Sequence, residues 1–215
     1  MDAEAQRHEA IEGVRAAHRG LLDDLARLTD EQARSASLLP KWSVGHVLTH
    51  IARNADSHTR MLSAAIRGEA VTQYDGGHER RAADIAAGAD RSAAELVADF
   101  ARSVSELEAT YDAMTAESWA GHGLNANGEI WPCEAMPFHR WREVAIHRAD
   151  LGLGYTPADW PDAYVKRELA ISLRLLPERL GAADQVHLLA WLLGRRDQPS
   201  VDLSPWQFHA DHYMR

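Results

Sequence analysis

The sequence predicts a mainly α-helical fold: an up-and-down four-helix bundle followed by a small, shortened helical region at the C-terminal end. Three observations carry this expectation. Four long segments repeat apolar residues at three- and four-residue spacing, turn-forming residues separate them, and strand-like alternation is confined to one short stretch.

Residues 4 to 28 place Ile11, Val14, His18, Leu21, Leu22, Leu25 and Leu28 along one helical face. Leu38-Leu39-Pro40-Lys41 ends that pattern, because proline has no amide hydrogen to donate and disfavours helix in the residue before it. Ser43 is placed to cap a helix running to about Arg67, with Val44, Val47, Leu48, Ile51, Ala55 and Leu62 as its apolar stripe. His50 falls at the edge of that stripe, facing inward beside Asn54 and Met61. A looser stretch with Asp75-Gly76-Gly77 follows. Leu96, Val97, Phe100, Val104, Leu107, Tyr111 and Met114 mark a third long helix. Asn127-Gly128, flanked by Leu124 and Ile130-Trp131, predicts a short hairpin. A fourth helix spans about residues 136 to 151 and stops at Gly152 and Gly154. Packing four amphipathic helices into a bundle buries their stripes, which assigns residues 1–155 to the bundle. Residues 156–215 form the C-terminal region, with helices at roughly 162–180 and 183–195 and a tail bearing Trp206, Phe208 and Tyr213.

At 215 residues the chain can bury one good core or one domain with a small appendage. Its 46% hydrophobic and 26% charged content is that of an ordinary globular protein. No apolar run is long enough to span a membrane, and Met1–Ala10 is too polar for a secretory signal, so a cytoplasmic location without membrane partners is expected. A net charge of −9 with no Lys/Arg block argues against a nucleic-acid partner. The single Cys133 can form neither an intramolecular disulfide nor, by itself, a thiolate metal site.

Glu143-Val-Ala-Ile-His147 is the most telling stretch. Residues four apart on a helix are surface neighbours, so this carboxylate and imidazole can converge on one small target. His50 supplies a second inward imidazole from another helix. Two histidines and one glutamate, with one position left open, is a donor set of catalytic zinc sites. Taken alone, His50 reads more plainly as a hydrogen-bonded helix histidine, and Glu143 with His147 as a surface pair; their order in the chain is what joins them. Asp150, three residues after His147, can accept the second ring N–H of a metal-bound imidazole. His139 reads as a wall residue, His46 as solvent-facing, and Cys133 as packing. Arg140, Arg142 and Arg195 have the fork geometry to hold a carboxylate, although most arginines are simply solvated.

Trp42-Ser-Val-Gly-His-Val-Leu-Thr-His50-Ile-Ala-Arg-Asn54 and Arg142-Glu143-Val-Ala-Ile-His147-Arg-Ala-Asp150-Leu151-Gly resemble the two signatures of the mycothiol-dependent maleylpyruvate isomerase family, part of the DinB-like metal-binding superfamily. Pro157-Ala-Asp-Trp-Pro161 resembles its linker, and the similarity spans roughly residues 5 to 165. The resemblance implies a DinB-like bundle and a zinc or other divalent ion on His50, Glu143 and His147, with Asp150 at the same site. It also implies a low-molecular-weight thiol cofactor: mycothiol first, with ergothioneine, bacillithiol or glutathione as alternatives. Arg195 resembles a C-terminal arginine that serves thiol or substrate, with Arg142 a further candidate. The implied substrate is an unsaturated keto acid, whose cis double bond is attacked by the thiolate, rotates, and returns as trans on elimination. Alternatives are an S-transferase that leaves the thiol on an electrophile, a hydrolase using metal-bound hydroxide, and a metal-stabilised bundle with no catalysis. The C-terminal region departs from the family by its reduced size.

Overall fold

The computed structural model of the chain describes residues 2–195, which fall into two compact units dividing after Trp160. The expected bundle makes up most of the first unit. Its long helices are α1 (Ala3–Leu25), α3 (Val44–Ile66), α5 (Ala93–Ala113) and α7 (Met136–Asp150), with α2 (Asp30–Arg34), α4 (Gly77–Gly88) and α6 (Ala116–Trp119) between them. Each long helix but α7 starts at a side-chain cap. Asp2 Oδ1 accepts from the Ala5 amide at 2.8 Å, and Ser43 and Ser92 form capping boxes with His46 and Glu95. α7 instead opens on Pro137, whose missing amide hydrogen would have had no helical partner there.

The first helix ends three residues short of the expected boundary. Thr29 accepts from Gln32 N and so nucleates α2, which turns the chain before Leu28 can extend the stripe. α3 packs chiefly on α5, α1 on α7, and α3–α7 and α1–α5 contacts close the ring. Leu21, Leu25, Val47, Leu48, Ile51, Leu96, Phe100, Val104 and Val144 interlock in the core this encloses. The expected hairpin forms at the mouth of the bundle: β1 (His122–Leu124) pairs antiparallel with β2 (Ile130–Pro132), setting Gly123 opposite Trp131.

The stretch read as loose after Asp75-Gly76-Gly77 is instead helix α4. Its sequence hides it, because Ile85 is its only buried residue and no apolar period can show. Two close approaches hold it on α3: Gly45 faces the Ala89 carbonyl, and a Cβ on Gly88 would lie 2.6 Å from Thr49 Cγ2. Only glycine leaves room at these crossings.

In the second unit, α8 (Asp162–Leu175) is shorter than expected because Pro177 cannot continue the ladder, and Leu176–Arg179 tighten into a 3₁₀ turn. α9 (Ala182–Leu192) ends before Gly194. The tail residues Trp206, Phe208 and Tyr213 lie outside the described residues. No helix among the described residues is long and apolar enough to cross a membrane.

Gly45→Ala tests the α3–α4 crossing. Alanine in a helix interior normally stabilises by up to about 1 kcal/mol, but here its methyl meets the Ala89 carbonyl. A net loss of about 1–3 kcal/mol in urea denaturation is expected; a raised midpoint would contradict the close approach.

Candidate metal centre

α3 and α7 bring His50, Glu143 and His147 together, with one ligand atom from each lying within 4.8 Å of the others. His50 Nε2 is 3.1 Å from His147 Nε2 and 3.2 Å from Glu143 Oε2, and the latter is 3.8 Å from His147 Nε2. The two imidazoles meet nearly at right angles, with ring centroids 4.7 Å apart. Their burial differs: both histidines are sealed, while the Glu143 side chain keeps 17% exposure. Access to the cluster is therefore on the carboxylate side.

The electrostatics leave this donor set ready to bind a cation. Burial pulls His50 down to about 3, so its ring is neutral. Burial pushes the Glu143 carboxyl up, but His50, His147 and Arg81 together hold it well below the usual carboxylate range. An anionic oxygen and neutral imidazoles are the forms that ligate a divalent ion. Glu143 Oε2 is buried and has no well-formed hydrogen bond, as an oxygen reserved for a ligand would be.

The surrounding residues fix the geometry. His147 Nδ1 donates to Asp150 Oδ2 at 2.9 Å, one helical turn on. Trp42 packs edge-on to His50 with centroids 5.6 Å apart. Arg81, from α4, places Nη2 2.9 Å from His50 Nδ1 and its guanidinium 5.4 Å over the Tyr74 ring. Arg81 and Tyr74 also line a cavity of about 310 Å³ with Ser57, Asp56, Asp75 and Asp84.

Other residues named from the sequence fall elsewhere. Arg140 is fully buried and donates to Ile51 O (2.8 Å), Asn54 Oδ1 (2.9 Å) and His18 Nε2 (3.1 Å), so it braces helices and offers no fork to a ligand. Arg142 is buried with its guanidinium 5.3 Å over Phe138. Arg195 lies in the second unit, exposed, and donates to Leu193 O at 3.2 Å. His139 packs edge-on to Trp131 at 5.0 Å. His46, expected in solvent, is half-buried: its Nδ1 closes the capping box by accepting from the Ser43 backbone N–H at 3.3 Å and also lies 2.7 Å from Ser43 Oγ. Cys133 is buried, which pushes its thiol up to about 11 and leaves it a poor nucleophile. Arg81 escaped the sequence reading for the same reason α4 did. Trp42 was visible only as part of a motif.

Fold and cluster together define a helical bundle with a His/His/Glu set able to hold a metal ion. Residues 14–152 match the family of the mycothiol maleylpyruvate isomerase N-terminal domain, and the chain belongs to that family. Among solved structures, it is similar to a mycothiol-dependent maleylpyruvate isomerase, at 26% identity and a TM-score of 0.70, over 77% of this chain and 67% of that one. A mutant of that enzyme with one histidine replaced by alanine gives 25% identity and the same TM-score and coverage. No curated protein sequence matches the chain.

Two buried histidines away from the cluster set an acid limit on the bundle. Burial lowers His58 to about 3 and His18 to about 4, the latter partly offset by Glu108 at 2.8 Å. The unfolded chain takes up these protons near pH 6.5, well before the native one. Stability from these two groups is therefore complete above that pH and is lost as pH drops toward 4, their joint contribution to the slope being at most about 2.7 kcal/mol per pH unit. Denaturation should show stability falling with pH over this range, and His58→Leu should lower the slope by up to about 1.4 kcal/mol per pH unit; a flat profile would contradict the neutral buried rings.

Proposed function

We propose that this chain is a thiol-dependent metalloenzyme of the maleylpyruvate-isomerase type, with zinc held by His50, Glu143 and His147 and mycothiol as the thiol. The observation that carries this is the convergence of two buried imidazoles and one carboxylate from two helices, with the open side at the carboxylate. The similar solved enzyme lends the reaction and the cofactor. Nitrogen and oxygen donors of this kind suit zinc. A cytoplasmic setting, where small thiols are kept reduced, fits this chemistry.

When bound, the ion would supply Lewis acidity, lowering the pKa of a ligated thiol and polarising a substrate carbonyl. The chain's own residues do the rest. Asp150 accepts a hydrogen bond from His147 Nδ1 and so turns the Nε2 lone pair toward the centre. Trp42 walls the His50 ring and keeps water from its face. Cys133 supplies no thiolate, because burial keeps it protonated, so the attacking sulfur comes from a diffusible cofactor. Arg142 and Arg195 are proposed to hold carboxylates of thiol or substrate.

The test is turnover of maleylpyruvate by zinc-loaded protein with mycothiol, glutathione, bacillithiol or ergothioneine in turn. Rates should saturate with the correct thiol, and the thiol should be recovered unconsumed; stoichiometric consumption would indicate S-transfer instead. Undiminished turnover in rigorously thiol-free protein would overturn the proposal. His50→Ala and His147→Ala should lose metal and activity while circular dichroism stays helical. Asp150→Asn should lose roughly 10- to 100-fold in activity or metal affinity. Arg142→Gln and Arg195→Gln should raise KM with kcat kept.

A further inference from the structure

A cavity of about 310 Å³, at the small end of the range for small-molecule sites, lies in the bundle beside the cluster. Arg81 joins the two places, because it lines the cavity and sets Nη2 2.9 Å from His50 Nδ1. Tyr74, another lining residue, feels the charge of Glu143, as does Arg81. The cavity therefore borders the carboxylate side, the one from which the cluster is reached.

The walls of this cavity alternate in charge. Arg53 Nη2 lies 3.0 Å from Asp56 Oδ2, and Arg80 Nε donates to Asp84 Oδ1 at 2.8 Å. Asp75 adds a carboxylate that makes no hydrogen bond or ion pair among the described residues. Three further atoms of lining residues are buried without a hydrogen bond: Arg53 Nε, Arg81 Nε and Asp56 Oδ1. Donors and acceptors are thus both left over, and buried polar groups of both kinds call for partners.

A hydroxyl donates and accepts at once, so a ring of hydroxyls meets carboxylates and guanidiniums in alternation. A carboxylate ligand serves the arginines alone and is repelled by Asp56, Asp75 and Asp84; an ammonium ligand meets the converse obstacle. We propose that this cavity takes an uncharged polyhydroxylated ring, the sugar-like head of the thiol cofactor, and so selects which small thiol reaches the centre. The inference rests on the thiol reading given above and names the part of the cofactor that is recognised. Mycothiol carries its cysteine on a glucosamine–inositol head, uncharged and dense in hydroxyls, whereas glutathione carries two carboxylates and an ammonium. A thiol without hydroxyls leaves the buried Arg53, Arg81 and Asp56 atoms unpaired, which is a strong basis for rejection. With the head seated here, the cysteine arm runs past Arg81 toward the open side of the cluster.

The experiment uses the full chain, both zinc-loaded and treated with chelator, as wild type, Asp75→Asn and Asp84→Asn. The probe is N-acetylglucosaminyl-inositol, the head of the cofactor without its sulfur. Calorimetry should show the probe binding both forms of the wild type, because the cavity lies outside the ligand set, and mycothiol should displace it. Each variant should bind it roughly 10-fold more weakly, the weight of one hydrogen bond to a charged group, with circular dichroism unchanged. In turnover, the KM for mycothiol should rise in both variants relative to the KM for N-acetylcysteine, which lacks the head. No binding of the probe by wild type, equal affinity in all three proteins, or displacement by glutathione or maleylpyruvate as readily as by mycothiol would overturn the inference. If the probe binds with the expected losses in the variants but no thiol supports turnover, the function proposed above falls and the polyol site stands.

Discussion

The buried guanidinium of Arg140 is the constraint on which the centre depends. It projects from α7, one turn before Glu143, and donates from Nε and Nη1 to His18 of α1 and to the Ile51 carbonyl and Asn54 amide of α3, while Nη2 is buried without a hydrogen-bond partner. The two acceptors on α3 lie one and four residues after His50, so one side chain ties together the two helices that carry the cluster. Burial lowers the Arg140 pKa to about 10, which still leaves it charged near neutrality. A charge without water needs its hydrogen bonds, and removing a partner of such a group costs roughly 3–5 kcal/mol. Helix spacing is therefore set by polar geometry as well as by the apolar core, and polar geometry tolerates less drift. A site that needs three ligand atoms within a few ångströms of one another benefits from that stiffness.

On this frame α7 carries most of the cluster. Glu143, His147 and Asp150 stand at intervals of four and three residues, so one helical face carries a partly exposed carboxylate, a sealed imidazole and the group that orients it. His50 then completes the set from across the bundle. The exposure of Glu143 against the sealed histidines gives the cluster a single open side.

How much of this was legible in the sequence follows from where each residue's signal lies. His50, Glu143 and His147 were readable because helical periodicity places them and because residue types with strong metal chemistry leave a mark at fixed spacing. Asp150 was readable for the same reason. The long helices announced themselves by their stripes, and the hairpin by Asn127-Gly128. α4 did not, because a helix that buries one isoleucine and otherwise meets its neighbour through Gly45 and Gly88 has no apolar period to find. Arg81 was lost with it. Arg140 carried the opposite error: its fork suggested a ligand, yet all its named acceptors are inside the bundle, a fact of tertiary packing that no local pattern encodes. α1 overran at Leu28 because the apolar spacing continues past Thr29's capping box, and local capping stopped the helix where periodicity would have gone on.

These differences divide the surroundings of the cluster into a helix braced by polar contacts and a helix that buries a single apolar side chain. α7 is wedged between α1 and α3 and is braced by Arg140, so Glu143 and His147 are held where the core puts them. α4 touches the bundle through glycine crossings and one buried side chain, and it delivers Arg81 to the His50 ring. Asp150 and Arg81 each set one polar group 2.9 Å from the outer nitrogen of a cluster histidine, the carboxylate from the helix braced by Arg140 and the guanidinium from the helix that buries a single isoleucine, so the two imidazoles are positioned from opposite sides of the cluster by elements of unequal packing.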